Sequence, residues 1–593
     1  MLTMKRVLYI LLVAVIFGGC QKEPALPSNA LQIDSGISNN SLYIGGREGD
    51  TATFSISAEY DWRILPTKGF VCEPSSGTAG KRIKITAQAT ESNNSRDTVR
   101  LDKLSFKLQS TVFVGIAAYQ YPQIAIKSGY ETVYTDAGAG ATATVELYSA
   151  TPDFDIVCNG DIDCRVVQHN TQSGQYTLQV TSTKATGSDN IEQIGTVAFE
   201  IDGKRQGANV EVRKVPIRPT AEQTILFYFL GTSLKPYYNN NIANIIKAAG
   251  KNILGNARIL LFTQSSSTEA SLDELLYDTS ARRCATVNIK SYTLTLPYTQ
   301  AALSEQIADM VEYAPARNYG MVIGSHGKAW IPTATPQTAK SAQSIISARE
   351  KLWTPAQGAL PTRNIGDTSA TQYNTATLAT AIADADIKLR YIIFDACFMS
   401  SAEAAYDLRN STDYIVASPC EIMSTGLPYD SVLPELLLDG GAHFDLDAVC
   451  RRFVEYYRNT PEQIPSACSA VIDCSQLEKL AQAMLRINTS GSRTITLADI
   501  QSYEGLSSHL FYDLEDYVRQ SCTDEQAVAD FSAQLAKTVS SRYHTDEFYS
   551  AYNRALNAIN YYSGITTSAP ILFDDSAQYR DEWQRTEWYM ATH

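Results

Sequence analysis

Two short stretches of the sequence place reactive side chains directly after apolar runs. Ser325-His326-Gly327 follow the run M-V-I-G (321–324), and Asp395-Ala396-Cys397 follow the run R-Y-I-I-F (390–394). In an open parallel sheet, functional groups gather at the carboxyl ends of the strands. If both runs are strands of one sheet, we expect His326 and Cys397 at the same edge. An imidazole beside a thiol is the pairing that activates a cysteine as a nucleophile.

The residues after Cys397 predict the start of a helix. Ser400-Ser401-Ala402-Glu403 has the serine-to-glutamate spacing of a capping box. Cys397 would then lie at a strand-to-helix junction, where a helix N-terminus lowers the pKa of a thiol and stabilises developing negative charge. We therefore expect a reactive thiol at this position.

Each of these residues also has a simpler explanation. A histidine after a strand is usually structural, and a cysteine that ends an apolar run is usually a small core residue. Their occurrence on two strand ends of a chain with only six histidines favours catalysis. A metallohydrolase and a serine hydrolase are disfavoured because the sequence contains no H-E-x-x-H, C-x-x-C or G-x-S-x-G motif.

The elements that would position these residues form a repeating pattern. Apolar runs at 224–230, 257–263, 319–324, 390–394 and 413–417 alternate with helical stretches near 241–249, 300–313 and 402–408. Buried strands that alternate with helices predict an α/β domain with a mostly parallel sheet covered on both faces. We assign its core to 219–440 and a mainly helical part to 441–593.

The first part of the chain has a different sequence pattern. Short alternating segments such as T-A-T-F-S-I-S (51–57) and A-T-V-E-L-Y-S (143–149) are separated by Gly, Asn, Ser and Pro. This spacing predicts two antiparallel β-sandwiches, at 31–121 and 122–218.

The first sandwich resembles the BACON domain of exported bacterial proteins. The features that carry this resemblance are Asp61-Trp62, Pro74-Ser75-Ser76-Gly77 with Gly80, Asn93-Asn94-Ser95-Arg96 and Tyr119-Gln120. Both sandwiches are predicted to serve as spacers, with binding of a glycan or a surface protein as the alternative.

The second part resembles the clostripain family of cysteine peptidases, in the caspase-like clan. The motifs are Y-G-M-V-I-G-S-H-G (319–327), F-D-A-C-F-M-S-S-A-E-A-A-Y-D-L (394–408) and D-Y-I-V-A-S (413–418), and the resemblance runs from about Glu222 to His593. It implies that the Cys397 thiolate attacks a peptide carbonyl while His326 protonates the leaving amine. The backbone N–H groups of Gly327 and Cys397 would hold the oxyanion.

The resemblance also implies a substrate preference. The family cleaves after basic residues, so P1, the residue before the cleaved bond, would be Arg or Lys facing Asp395. Ser325 and Glu421 complete the expected substrate contacts. Glu421 is the one acidic residue between 418 and 429, where the family usually has more, so the resemblance does not extend to a second carboxylate in the P1 pocket. Calcium is the cofactor that the resemblance allows.

The N-terminus predicts export. Lys5 and Arg6 precede the apolar run 7–17, which is too short to span a membrane and is typical of a signal peptide. Gly18-Gly19-Cys20 resembles a lipobox, so we expect cleavage after residue 19, lipidation of Cys20, a linker over 20–30 and an outer-membrane lipoprotein of the cell envelope. The alternative is an ordinary signal peptide. A formal net charge of −14 argues against binding to nucleic acid.

Self-cleavage is a further expectation, because several members of the clan mature by a cut between the histidine and the cysteine. The stretch 331–377 is rich in Thr, Ser, Ala, Pro and Gln, as an exposed loop is. Its candidate sites are Lys340, Arg349, Lys351 and Arg363. The competing function is a non-catalytic surface protein that binds peptides or glycans with a peptidase-like domain.

Overall fold

The computed structural model divides the chain into two compact units, Met1–Ile217 and Arg218–His593. It describes residues 13–15, 26–27, 29–38, 40–185, 191–215, 220–279, 281–295, 298–331, 355–363, 373–438, 443–506, 509–568 and 577–593. Within these ranges, no helix is long and apolar enough to cross a membrane.

The first unit begins with a β-sandwich. One sheet has the strand order β2 (Leu31–Ser35), β4 (Thr51–Ala58), β8 (Gly80–Ala89), β6 (Phe70–Glu73). The other has the order β1 (Val13–Val15), β10 (Thr111–Gln120), β9 (Val99–Leu108), β5 (Trp62–Ile64), β7 (Ser76–Gly77), and β3 (Ser41–Ile44) also pairs with β10. Trp62 and Phe54 both pack against Phe106 in the core between the sheets.

A second sandwich completes this unit. One sheet has the order β11 (Ile124–Ile126), β13 (Thr142–Ser149), β16 (Gln175–Ser182), β15 (Ile162–Asn170). The other has the order β12 (Thr132–Thr135), β18 (Lys204–Lys214), β17 (Glu192–Ile201), β14 (Asp155–Gly160). Buried and partly exposed residues alternate along β16, as expected for a strand with one face in the core. The prediction of two all-β sandwiches is confirmed.

A nine-stranded mixed sheet forms the centre of the second unit. Its order is β22 (Arg283–Thr293), β21 (Glu269–Asp278), β20 (Ala257–Gln264), β19 (Ala221–Phe229), β23 (Ala316–Gly324), β24 (Leu389–Asp395), β25 (Thr412–Ala417), β26 (Cys468–Asp473), β28 (Val539–His544). The five central strands, β20, β19, β23, β24 and β25, are parallel to one another. At each edge, two further strands are added by antiparallel pairing, β21 and β22 beside β20, and β26 and β28 beside β25. Two small ladders pair β27 (Tyr512–Asp513) with β31 (Thr566–Thr567) and β29 (Glu547–Ser550) with β30 (Ala555–Ala558).

Helices cover both faces of this sheet. Along β19, Leu226 and Tyr228 face one core while Phe227 and Phe229 face the other. The first core is closed by α2 (Gln300–Tyr313), α3 (Thr375–Asp384), α4 (Ala402–Leu408), α7 (Leu477–Thr489), α8 (Leu514–Ser521), α9 (Glu525–Thr538) and α11 (Glu587–Thr592). The second is closed by α1 (Lys235–Ala249), α5 (Tyr429–Leu436), α6 (Leu446–Asn459) and α10 (Ala577–Trp583).

The predicted caspase-like α/β architecture is therefore present, with two differences. The antiparallel hairpin of β21 and β22 was not predicted. The region after residue 440 is also less helical than expected, because β26 and β28 extend the central sheet. β26 is six residues long and buried, and such a short apolar run between two helices carries little periodicity of its own.

Candidate active site

The loops that carry His326 and Cys397 leave the same edge of the sheet. β23 and β24 are parallel neighbours, and their last residues, Gly324 and Asp395, are paired. Gly327 then lies directly against the backbone of Cys397, because a Cβ built on Gly327 would be 2.1 Å from the Cys397 carbonyl oxygen. Only a glycine permits this approach of the two loops.

The Cys397 side chain is fully buried in this structure. Its Sγ accepts a hydrogen bond of 3.1 Å from the Ile422 N–H. Burial raises the pKa of the Cys397 thiol well above its ordinary value, and the negative charge of Glu421 adds to the rise. The thiol is therefore held in its neutral form here.

The capping-box prediction was wrong by one residue. Ser401, not Ser400, caps α4, and its side chain accepts from the Ala404 N–H at 3.1 Å. The Glu403 carboxylate is buried and accepts from Trp583 at 2.9 Å. Cys397 lies four residues before this cap, so the helix N-terminus does not supply the lowered thiol pKa that the sequence suggested.

His326 is held by a residue from a different strand end. Its Nε2 lies 2.8 Å from the Oγ of Ser233, in the 3-10 turn after β19. Ser325, next to His326, directs its Oγ to the His326 carbonyl oxygen at 3.0 Å. Ser233 thus orients the imidazole, a role that the sequence analysis did not assign.

Asp395 lies at the bottom of a closed pocket. Its Oδ2 accepts from the Tyr429 hydroxyl at 2.7 Å and from the Leu427 N–H at 3.3 Å. The same oxygen is 3.0 Å from Nη1 of Arg363, and neither side chain is exposed to solvent. Burial raises the pKa of the Asp395 carboxyl, while the Arg363 guanidinium and the hydrogen bonds oppose that rise.

The Arg363 side chain fills this pocket. Its Nη2 donates to Asn241 Oδ1 at 2.7 Å, and its guanidinium lies over the Tyr238 ring, 5.3 Å from the centroid. A Cβ on Gly426 would be 2.1 Å from Nη2, so a larger residue there would exclude the arginine. The chain therefore places one of its own arginines on the carboxylate that was predicted to bind P1.

The backbone around Arg363 is hydrogen-bonded on both sides. Its N–H donates to the Ile422 carbonyl at 2.7 Å, and its carbonyl oxygen accepts from the Gly327 N–H at 3.3 Å. Thr362 forms an antiparallel bridge with Met423. This isolated bridge places an extended segment beside the loop after β25. Pairing of an extended peptide with exposed backbone is a common mode of peptide recognition.

Glu421 does not contribute to the arginine pocket. Its Oε1 accepts from the Thr362 hydroxyl at 2.7 Å, and its Oε2 accepts from the Ala551 N–H at 2.9 Å. The carboxylate thus faces the residue before the arginine. Asp395 is the carboxylate that contacts the Arg363 guanidinium.

Several predicted residues lie outside the described ranges. They are Cys20, the proposed lipidation site, and the candidate cleavage sites Lys340, Arg349 and Lys351. The fourth candidate, Arg363, is described. Asn241, Tyr238 and Gly426 were missed because they reach the pocket from distant segments, without a local motif.

The described residues offer no obvious place for a metal ion. No group of three or more His, Cys, Asp or Glu side chains gathers among them as a potential ligand set.

Comparisons with known proteins identify the second unit. The clostripain family model (Peptidase_C11) matches residues 229–561, and a search of curated proteins finds no match. A secreted C11 cysteine protease from Bacteroides thetaiotaomicron, called iotapain, is 33% identical with a TM-score of 0.55, and the match covers 63% of this chain and 100% of that one.

Two further solved structures share the fold. One is an inactive zymogen C11 protease from Parabacteroides distasonis, which is 24% identical with a TM-score of 0.52. This match covers 64% of this chain and 99% of that one. The other is a secreted C11 protease from B. thetaiotaomicron in complex with an irreversible peptide inhibitor, with 22% identity, 63% and 99% coverage and a TM-score of 0.52. The chain belongs to the clostripain family of cysteine peptidases.

Proposed function

We propose that this protein is an exported, lipid-anchored endopeptidase that cleaves peptide bonds after Arg or Lys, with Cys397 as nucleophile and His326 as its acid–base partner. One observation carries the proposal. Arg363 occupies the Asp395 pocket while its carbonyl oxygen accepts a hydrogen bond from Gly327, the proposed oxyanion donor.

The proposed reaction uses one thiol, one imidazole and two backbone N–H groups. His326 takes the thiol proton, and the Cys397 sulfur attacks the P1 carbonyl carbon. The resulting oxyanion accepts hydrogen bonds from the N–H groups of Gly327 and Cys397, and removing one such donor typically costs about 10²–10³-fold in rate. When the C–N bond breaks, the imidazolium returns the proton to the leaving amine. Water then hydrolyses the thioester and restores the thiol.

The preference for Arg or Lys follows from the burial of Asp395. A long cationic side chain loses its hydration on entering the pocket, and the facing carboxylate offsets that loss. Asn241 and the Tyr238 ring add a hydrogen bond and a cation–π contact to the Arg363 guanidinium. A guanidinium can place one nitrogen on Asp395 and another on Asn241, which an ammonium does less well, so Arg is expected to be preferred to Lys.

The dyad is tested by substitution. Cys397→Ala and His326→Ala should each abolish hydrolysis of a P1 Arg peptide while the far-UV circular dichroism and melting profile stay close to wild type. Cys450→Ala is the matched control, since Cys450 is also a fully buried thiol but lies on α6. Near-wild-type turnover by either dyad variant would refute the assignment. A wild-type protein that binds peptides without cleaving them would favour the non-catalytic alternative.

Specificity is tested at Asp395. Asp395→Asn should cost on the order of 2–5 kcal/mol in kcat/KM for a P1 Arg substrate, because it removes one partner of a buried charge pair. A P1 norleucine substrate should lose much less. Asp407→Asn, a control carboxyl on α4, should leave the preference unchanged. A peptide library in which wild type favours apolar or acidic P1, or in which Asp395→Asn keeps the wild-type preference, would contradict the proposal.

Arg363 is the proposed self-cleavage site. Its docked position predicts a cut of the Arg363–Asn364 bond in active protein and an intact chain in Cys397→Ala. Arg363→Ala should abolish this cut, whereas Arg363→Lys should retain it at a lower rate. N-terminal sequencing of the fragments tests this. An intact wild-type chain, or a fragment beginning elsewhere with none beginning at Asn364, would overturn it.

The proposed anchor is tested at the N-terminus. The G-G-C junction after the apolar run supports cleavage before Cys20 and lipidation of its thiol, with the BACON-like sandwich as a spacer. Labelling with a radioactive fatty acid should mark wild type but not Cys20→Ser, and only wild type should fractionate with membranes. An unmodified N-terminus on soluble wild-type protein would remove the anchor from the proposal.

A further inference from the structure

The residue before Arg363 is also held by a buried side chain. Thr362 is 6% exposed and donates its hydroxyl hydrogen bond to Glu421, which is 1% exposed, at 2.7 Å. The second carboxylate oxygen of Glu421 is fixed by the Ala551 N–H at 2.9 Å. The carboxylate is therefore anchored in place on one side and faces the hydroxyl on the other.

We infer that Glu421 forms a P2 subsite that selects Ser or Thr immediately before the P1 residue, so that the preferred substrates are exposed segments containing Thr-Arg or Ser-Arg. This inference rests on the proposed function and adds a second specificity determinant to it. P2 denotes the residue that Thr362 represents, and the P2 subsite denotes Glu421 with the Ala551 N–H that holds it.

The depth of this subsite is set by the main chain. Thr362 pairs with Met423, and the Pro361 carbonyl oxygen accepts from the Ser424 N–H at 3.1 Å. Together with the two backbone hydrogen bonds of Arg363, this pairing fixes the distance from the peptide backbone to Glu421. Any peptide bound in the same register presents its P2 side chain to the same carboxylate.

The geometry favours a short hydroxyl side chain over the alternatives. The threonine hydroxyl is only two bonds from its Cα and already reaches Glu421 at normal hydrogen-bond length. A valine has the same shape but cannot donate, so a buried carboxylate loses this hydrogen bond. A lysine or arginine is several bonds longer and would have to fold back within a buried site to place its charge there.

Glu421 and Asp395 therefore have separate roles. Asp395 meets the cation of Arg363, whereas Glu421 meets the hydroxyl of Thr362. Glu421 is the one acidic residue in the loop 418–429, and its carboxylate contacts Thr362 rather than Arg363. The carboxylate that contacts the Arg363 side chain is that of Asp395.

A matched set of substrates tests the inference on the self-cleaved wild-type protein. We expect kcat/KM for a fluorogenic Pro-Thr-Arg substrate to exceed that for Pro-Val-Arg by about tenfold to a hundredfold, with Pro-Ser-Arg close to Pro-Thr-Arg. The kcat/KM for Pro-Lys-Arg should be as low as that for Pro-Val-Arg. In Glu421→Leu, which can neither accept a hydrogen bond from the hydroxyl nor donate one to it, the Thr-to-Val ratio should fall to within about threefold of unity.

The intact chain offers the same comparison within one molecule. Thr362→Val should slow self-cleavage at Arg363 by a similar factor, whereas Thr362→Ser should leave its first-order rate nearly unchanged. Both variants keep the P1 residue and the backbone pairing. Because the readout is a ratio between side chains at one position, a general effect of Glu421 on the thiol cancels.

The outcomes separate the two claims. Equal hydrolysis of the Thr and Val substrates, or a preference for Lys at P2, would overturn the P2 inference and leave cleavage after Arg intact. A Thr preference that survives in Glu421→Leu would assign it to another residue and overturn the P2 inference. A protein that hydrolyses none of these P1 Arg substrates overturns the proposed function and this inference with it.

Discussion

The buried ion pair of Arg363 with Asp395 is the interaction around which the site is organised. Both side chains are completely withdrawn from solvent, so each loses its hydration on burial, which costs several kcal/mol per ion. Attraction between the charges and the hydrogen bonds to them offset part of this cost. The Tyr429 hydroxyl donates to Oδ2 of the carboxylate and Asn241 accepts from Nη2 of the guanidinium, whereas Oδ1 of Asp395 and Nε of Arg363 have no hydrogen-bond partner among the described residues. The stability of the Asp395 carboxylate in this position therefore depends on the cation beside it.

The segment that carries Arg363 lies beside the loop that contacts the Cys397 sulfur. Pro361, Thr362 and Arg363 pair with residues 422–424, and the Ile422 N–H of the same loop donates to Sγ of the fully buried Cys397. Because burial is the largest contribution to the raised pKa of the thiol, any opening that admits solvent to the sulfur would lower that pKa.

The sequence predicted the parts of this site that belong to single strands. The continuous apolar runs before His326 and Asp395 could only be buried in a parallel sheet, and that placed both loops at one edge. Ser233 could not be found in this way, since it lies 93 residues from His326 and its contact depends on the order of the strands. Asn241 is likewise 122 residues from Arg363. Serine and asparagine are common in loops, so neither gave a local signal.

The helix cap and the partner of Glu421 also differ from what the sequence suggested, and both differences have local physical causes. The serine pair at Ser400 and Ser401 offers two possible caps, and the sequence spacing selected the wrong one because Glu403 is drawn into a buried contact with Trp583. Glu421 was expected among the substrate contacts on family resemblance, without a defined partner. The antiparallel pairing of Thr362 with Met423 sets instead which carboxylate meets which side chain, and the register of that pairing is absent from the sequence.

Ile422 links recognition to catalysis through its two backbone groups. Its N–H donates to the sulfur of Cys397, and its carbonyl accepts from the N–H of Arg363. The Cys397 sulfur and the Arg363 backbone are therefore spaced by the two polar groups of one residue, whatever side chains the segment carries. Side chains such as Glu421 can then differ while this backbone spacing is kept. That separation gives a physical reason why a loop that departs from the family pattern still holds the Arg363 carbonyl oxygen against the Gly327 N–H.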